Sequence, residues 1–384
     1  MNFNFRQYPN LTSITIPNSV KFSNNSFYMQ FYDMQNLKTC TLNHSNITNM
    51  SYAYYNCTNL TGSPVCGNNV INMCDAYFGC ANLTGSPVCG NKVVNIGRAY
   101  WGCYNLTGNP VCGPNVTNMS YVYQNCSNLT GSPVCTNNVI DMSGAYWHCT
   151  NLTGSPVCGN RVTSMADAYG FCTNLTGNPV CGPNVTNMAH AYDSCFSLTG
   201  SPVIGNKVVN MRAAYILCSG LNGSPVCGPN VTDMSDAYAY CSNLTGNPVC
   251  GPNVTNMYGA YHSCFSLTGS PVIGNKVVNV AYAYWNVFGN VFNNKDIYIY
   301  AKNITNAEGV FGIDKNYMTR GKGRVYSDGS WKRLNIYVPK NSVTLNTFIN
   351  DGHIYCLDNA NCRWTKSGNT YYNIQQNTYI YATL

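Results

Sequence analysis

The chain has 384 residues, 9% of them charged and 13% aromatic, with 22 cysteines and a formal net charge of +7 at pH 7. No apolar run reaches membrane-spanning length, and the start MNFNFRQYPNL has no charged region followed by an apolar core, so neither membrane insertion nor Sec export is expected. The charge is uneven: residues 57–287 carry six Lys/Arg and six Asp/Glu, while 295–384 carry eleven and six. A balanced middle lacks the basic stripe that nucleic-acid binding requires.

Residues 1–56 read as two degenerate units that serve as an N-terminal cap. From Cys57 the chain becomes periodic: ten cysteines from Cys57 to Cys264 stand 23 residues apart, spanning 207 residues. Leu60, Leu83 and their successors follow each cysteine by three, and Tyr77, Tyr100 and theirs precede the next cysteine by three. One unit reads C-x-N-L-T-G-[S/N]-P-V-C-G-x-x-V-x-x-M-x-x-A-Y-x-x. A fixed period of this length signals a repeat solenoid, in which each unit contacts only its neighbours.

Within a unit, Met73, Ala76, Tyr77 and Cys80 fall on one face of a short helical turn. The N-L-T-G-S-P-V-C half reads as extended. Pro64 has no N–H for a ladder, so the strand is expected to be short, around Val65 and Cys66 or from Val70 to Met73. Ten parallel rungs at about 4.7–4.9 Å each would extend roughly 50 Å.

NLTSITIPNSV at 10–20 resembles the BspA-like leucine-rich repeat family, whose 23-residue units also carry an Ala-aromatic pair and a late cysteine. NVTNMSYVYQNCSNLT at 115–130 and NVTDMSDAYAYCSNLT at 230–245 resemble the related repeat of bacterial surface lipoproteins. The likeness covers about residues 10–290. It departs from the family in Tyr for the usual Phe and in T-G-S-P where an apolar strand residue is usual. The resemblance implies a leucine-rich-repeat-like fold of stacked parallel β-strands with short helical turns, and a non-catalytic rod or horseshoe that binds proteins or cell surfaces.

Cysteines stacked in adjacent units would fall near disulfide range. The second cysteine slot argues against obligatory pairing: it holds Cys66, Cys89, Cys112, Cys135, Cys158, Cys181, Cys227 and Cys250, but also Ile204 and Ile273. A slot that accepts isoleucine reads as buried and apolar, with cysteine acting as a small hydrophobe. No C-x-x-C knuckle suggests zinc. Cys356 and Cys362, flanking LDNAN outside the repeats, read as a local disulfide or as two free thiols. The many N-x-T/S triplets read as a stacked asparagine ladder bonding backbone rather than as glycosylation sites.

A longer period overlies the first. The residue before each proline runs Ser, Ser, Asn, so three units form a block of 69 residues. Residues 172–210 and 241–279 differ at four of 39 positions: Thr173/Ser242, Ala189/Tyr258, His190/Gly259 and Asp193/His262. Three of the four lie in the two slots after Met or the two after Tyr. Across the units those slots hold Phe78, Arg98, Trp101, Tyr121, Trp147, His148, Phe171, Ile216, Tyr240, Tyr258, His262 and Trp285. On a helical turn they face outward, and an aromatic-rich outward stripe suits binding at a wet surface. Drift at relaxed surface positions is the competing reading.

After the repeats, IYIYAKNITNAEGVF at 297–311 echoes the unit. RLNIYVP at 333–339 resembles the family's closing strand, and TYYNI with TYIYA around Gln375, Gln376 and Asn377 reads as a β-hairpin. The basic stretch holding Arg320, Lys322, Arg324, Lys332 and Arg333 reads as a solvated loop or hairpin, with contact to an anionic glycan or a partner protein as the competing reading. The expected organisation is therefore 1–56 cap, 57–290 ten solenoid repeats, and 291–384 a β-rich C-terminal cap or attachment domain that also mediates homo-oligomer formation.

His44, His148, His190, His262 and His353 are scattered, and no nucleophile elbow, metal box or phosphate loop occurs, so an enzyme is not expected and no cofactor is implied. Two functions remain. One is adhesion to a cell-surface protein or glycan; without an export signal, a phage tail fibre or receptor-binding component is the expected vehicle, virion-associated or extracellular after a cytoplasmic stage. The other is a self-associating structural element of a virion or extracellular filament.

Overall fold

The computed structural model describes residues 5–17, 19–42, 45–287, 296–311, 334–350, 365–373 and 378–383. The chain divides into two compact units, Met1–Val185 and Thr186–Leu384.

In the first unit, strand β1 (Ser13–Ile16) pairs in parallel with β2 (Thr39–Leu42), Ser13 opposite Thr39. Beyond them, successive repeats meet through single parallel bridges: Asn49 with Asn72, Asn72 with Asn95, Asn95 with Asn118, Asn118 with Asp141, Asp141 with Ser164. The expected strand around Val65 and Cys66 is absent, and the stretch from Val70 to Met73 contributes only the bridge at Asn72. Two residues explain this. Pro64 supplies no donor. Gly62 turns the chain at φ +85°, and in the next repeat a Cβ on Gly85 would sit 2.3 Å from Ser63 Oγ.

Where a helical turn is expected, the described repeats instead contain a ribbon of consecutive turns. Ala76, Phe78 and Cys80 N–H donate back three residues, to Met73, Asp75 and Tyr77 carbonyls at 3.0, 3.3 and 3.1 Å. The alternate N–H groups of Met73, Asp75, Tyr77 and Gly79 point the other way and donate to Asn95, Gly97, Ala99 and Trp101 carbonyls of the next repeat at 2.9, 3.0, 2.8 and 2.7 Å. Left-handed backbone at Asp75 (φ 56°) and Gly79 (φ 71°) makes this alternation. A helix would keep every interior N–H within itself, leaving the neighbouring repeat unbonded. The i, i+3, i+4, i+7 spacing is shared by both forms.

The invariant residues are the core. Leu, the valine of the Val70 column, Met, Ala, Tyr and the first-slot cysteine of each repeat from Cys57 onward are at most 5% exposed, whereas the valine after the proline is outward, 41% exposed at Val65. Rings of Tyr54, Tyr77, Tyr100, Tyr123, Tyr146 and Tyr169 stack at centroid distances of 5.0, 5.6, 5.7, 5.6 and 5.4 Å. Cys80 Sγ donates to Tyr54 O at 3.0 Å and Cys149 Sγ to Tyr123 O at 3.0 Å. No disulfide joins the described cysteines. The burial order corrects the expectation: the first slot is buried, while Cys66, Cys89, Cys112, Cys135 and Cys158 are half-exposed. Tolerance of isoleucine marks an apolar surround, not full enclosure.

The second unit repeats this plan. Tyr192, Tyr215, Tyr238, Tyr261 and Tyr284 stack at 5.4, 5.6, 5.6 and 5.4 Å. Met211, Ala213, Tyr215 and Leu217 N–H donate to the next repeat at 2.8–3.0 Å. The echo N-I-T-N-A is a further repeat: Asn279 bridges Asn306, 27 residues on (306 − 279), and Tyr284 meets Phe311 at 6.1 Å. Helix α1 (Val343–Asn350), capped by Ser342 Oγ accepting from Leu345 N–H at 3.1 Å, covers that repeat. Its Thr344 and Thr347 hydroxyls donate to Ala301 O and Ile304 O at 2.6 and 2.7 Å.

Strands β3 (Asp296–Tyr298), β4 (Leu334–Val338), β5 (Thr365–Ser367), β6 (Thr370–Asn373) and β7 (Thr378–Ala382) form one sheet in the order β3-β4-β7-β6-β5. β4 runs parallel to β3 and β7. The expected hairpin is present: β6 and β7 are antiparallel, Asn373 opposite Thr378. Ile297, Ile336 and Ile380 are buried, while Tyr298, Tyr337 and Tyr381 stack on the other face at 4.7 and 4.8 Å. Cys356 and Cys362, His44 and His353, and the basic stretch from Arg320 to Arg333 lie outside the described residues.

Candidate functional site

The turn ribbon determines what its variable slots can hold. The second slot after Met and the second after Tyr are left-handed in almost every repeat: Asp75, Arg98, Tyr121, Gly144, Asp167, His190, Ala213, Asp236, Gly259 and Tyr282 in one, Gly79, Gly102, Asn125, His148, Phe171, Ser194, Leu217, Tyr240, Ser263 and Asn286 in the other, at φ of 50–72°. No β-branched residue occurs there, as left-handed backbone requires. Variation in these slots is therefore filtered by backbone, and Ile216 occupies a slot without that restriction.

In the first unit the slots assemble an aromatic column. Tyr32 stacks on Tyr55 at 4.7 Å, Tyr55 on Phe78 at 4.5 Å and Phe78 on Trp101 at 4.2 Å, with interplanar angles of 5°, 7° and 17°. Arg6 sits over the Tyr32 ring at 5.2 Å. Tyr28 and Tyr52 flank the column, 6.0 Å apart. Stacked rings cover one another's faces, which is why Phe78 and Trp101 are half-buried rather than outward-facing. What they present is edges, at roughly 0.5–1.5 kcal/mol of ring-ring attraction per pair.

Beside the column, Arg98 (side chain 48% exposed) pairs with Asp75 (1% exposed) at 3.0 Å. Cys74 Sγ donates to the same carboxylate at 3.0 Å. Burial, then that hydrogen bond, pushes the Cys74 thiol up to about 12, and the Asp75 charge raises the Tyr52 phenol. A second cluster joins Trp147, His148 and Phe171, with His148 stacked on Phe171 at 4.6 Å. Tyr121 is half-buried.

In the second unit, Tyr258 is 41% exposed and meets Tyr282 edge-on at 5.7 Å, while His262 lies against Tyr240 at 4.7 Å. Trp285 departs from the expected stripe: it is 6% exposed, edge-on to Tyr282, in space left by Gly309, where a Cβ would stand 2.9 Å from its ring. His190 pairs with Asp193 at 3.2 Å. Among the described residues, no three His, Cys, Asp or Glu side chains gather to hold a metal, and no helix is long and apolar enough to cross a membrane.

Sequence reading missed Tyr28, Tyr32, Tyr52 and Tyr55. The signal was present: Tyr55 and Tyr32 lie 23 and 46 residues before Phe78. Phe31 and Met34 in place of Tyr and Cys hid the register.

Interlocked turn ribbons over a buried ladder, with unlike side chains carried outside it, define a repeat-array protein whose variable chemistry lies outside a repeated core. No family model matches the chain, and no curated protein matches it. Among solved structures it is similar to a leucine-rich cell surface protein from Faecalibacterium prausnitzii A2-165, with 17% identity, a TM-score of 0.35, and coverage of 88% of this chain and 86% of that one. Likeness at that TM-score fixes neither fold nor activity for this chain.

Proposed function

We propose that the chain is a non-catalytic recognition protein, a leucine-rich-repeat-like solenoid that presents its variable lane to a cell-surface protein or glycan. The observation that carries this reading is the aromatic column from Tyr32 to Trp101 beside the Arg98–Asp75 pair. Aromatic edges and an arginine are the side chains that dominate recognition surfaces. In this reading residues 1–56 close one end and begin the lane with Tyr32 and Tyr55, 57–290 continue it, and 291–384 cap the array, attach it to an envelope or virion and associate copies.

The test uses the full chain, with Phe78→Ala/Trp101→Ala and Trp147→Ala variants, against panels of bacterial envelopes and surface glycans, with molecular mass by light scattering. Saturable envelope binding that the Phe78→Ala/Trp101→Ala variant loses supports recognition. Concentration-dependent assembly with no envelope binding overturns it in favour of a structural element of a virion or filament.

A further inference from the structure

A second surface is built from slots of the repeat other than those of the aromatic lane. In the second unit Lys207, Asn230, Asn253 and Lys276, with Val209, Thr232 and Thr255, line an open groove of about 550 Å³. These residues occupy the same two slots of successive repeats, so the groove runs along the stacking direction. At about 4.8 Å per rung its two lysines stand roughly 14 Å apart. No carboxylate lines it.

The lining is one-sided in charge. Asn230 and Asn253 each donate one amide proton to Asn206 O and Pro229 O at 2.8 and 2.9 Å, which fixes each side chain and leaves its second N–H and its Oδ1 facing a ligand. Lys276 Nζ already uses Asn253 Oδ1, at 2.6 Å. Thr232 and Thr255 commit their hydroxyl protons to Val209 O and Thr232 O at 3.4 and 3.2 Å. The surface therefore offers asparagine N–H and C=O groups, methyl groups and two ammonium ions. A ligand with hydroxyls that both donate and accept, C–H faces and sparse negative charge matches it.

The first unit repeats the arrangement. Lys92, Asn115, Asn138 and Arg161 occupy the same slot, and the two cations are again 69 residues apart. Asn115 and Asn138 donate to Asn91 O and Pro114 O at 2.9 and 2.8 Å.

We propose that this lysine–asparagine surface binds a linear acidic glycan whose carboxylates are separated by neutral sugars. Sugar hydroxyls supply the donors, ring C–H faces meet Val209 and the threonine methyls, and carboxylates reach the lysines. Polyol phosphates lack the ring faces. Duplex nucleic acid carries one charge per about 1.7 Å, roughly eight over the span between two lysines, and would press phosphates onto the asparagine oxygens. The inference concerns a different surface from the lane and stands or falls separately from it.

The test is binding of the full chain to hyaluronan at low salt, beside carboxyl-amidated hyaluronan, heparin and duplex DNA. Lys207→Gln/Lys276→Gln should weaken hyaluronan binding about tenfold, and adding Lys92→Gln/Arg161→Gln should weaken it further. The amidated polymer should not bind, and Phe78→Ala/Trp101→Ala should leave hyaluronan binding intact. All four cations are exposed, so unchanged thermal melting checks that the fold is kept. Equal binding by the double lysine variant, equal binding of the amidated polymer, or tighter binding of heparin or DNA than of hyaluronan would overturn the proposal.

Discussion

Tyr77 and Val65 form a closed pair: the Tyr77 hydroxyl donates to Val65 O at 2.8 Å and accepts from Val65 N–H at 3.0 Å. The same exchange joins Tyr100 to Val88, Tyr123 to Val111 and Tyr146 to Val134 in the first unit, and Tyr238 to Val226 and Tyr261 to Val249 in the second. A buried phenol thus replaces the strand neighbour that proline denies the T-G-S-P-V segment, which gives the departure from Phe to Tyr a physical reason. Tyr123→Phe, which leaves both Val111 groups unpaired, should cost about 1–3 kcal/mol. Urea unfolding of wild type and variant measures it, and an unchanged midpoint would show that water replaces the hydroxyl.

The thiols should make the protein alkali-labile. Burial pushes Cys57 and Cys89 up to about 12 and Cys135 up to about 11, against an unfolded value near 8.5. Raised folded values mean the unfolded chain ionises first, so stability is full below pH 8.5 and falls as pH rises towards 11–12. Melting temperature should drop steeply across that window. Iodoacetamide at pH 7 should leave Cys149 unmodified until the chain unfolds, as mass spectrometry of labelled peptides would show.

His262 should act at the other end of the scale. Burial depresses its pKa to about 4, and its Nδ1 is a buried atom with no hydrogen-bond partner. The unfolded imidazole titrates near 6.5, so the unfolded state takes the proton first and stability is lost as pH falls from 6.5 to 4. The loss should be on the order of 1–3 kcal/mol, and His262→Gln should melt with a shallower acid dependence. Parallel acid profiles for the two proteins would refute this.

Backbone, not exposure, should govern which lane substitutions are tolerated. Tyr121 is half-buried at φ 54°, so Tyr121→Val should lose roughly 1–2 kcal/mol more than Tyr121→Gly, through left-handed strain. At Trp147, outside the left-handed slots, Val and Gly should show no such penalty. Thermal melts of the four variants separate backbone strain from lost contacts.

Much of this was readable from one chain. The 23-residue register placed Leu60, Tyr77 and Cys80 in the core columns because identical positions in stacked repeats must share an environment. The hairpin of β6 and β7 followed from two alternating apolar runs around a polar turn. The turn ribbon was misread because Met73, Ala76, Tyr77 and Cys80 share a face in either form, and only the direction of the N–H groups distinguishes them. The lane was partly legible: variability marked its slots, but ring stacking and left-handed φ, which decide what each slot presents, have no signature in a list of residue types.

The sequence by itself determined the period and the core columns, because these follow from repetition alone. Only the tertiary structure decided that the tyrosine hydroxyl completes the proline segment, that the second cysteine slot is half-exposed, that Trp285 is covered, and that Lys207 and Lys276 border one groove. Each depends on atoms one or more repeats apart, whose distances are set by stacking rather than by neighbours in the chain.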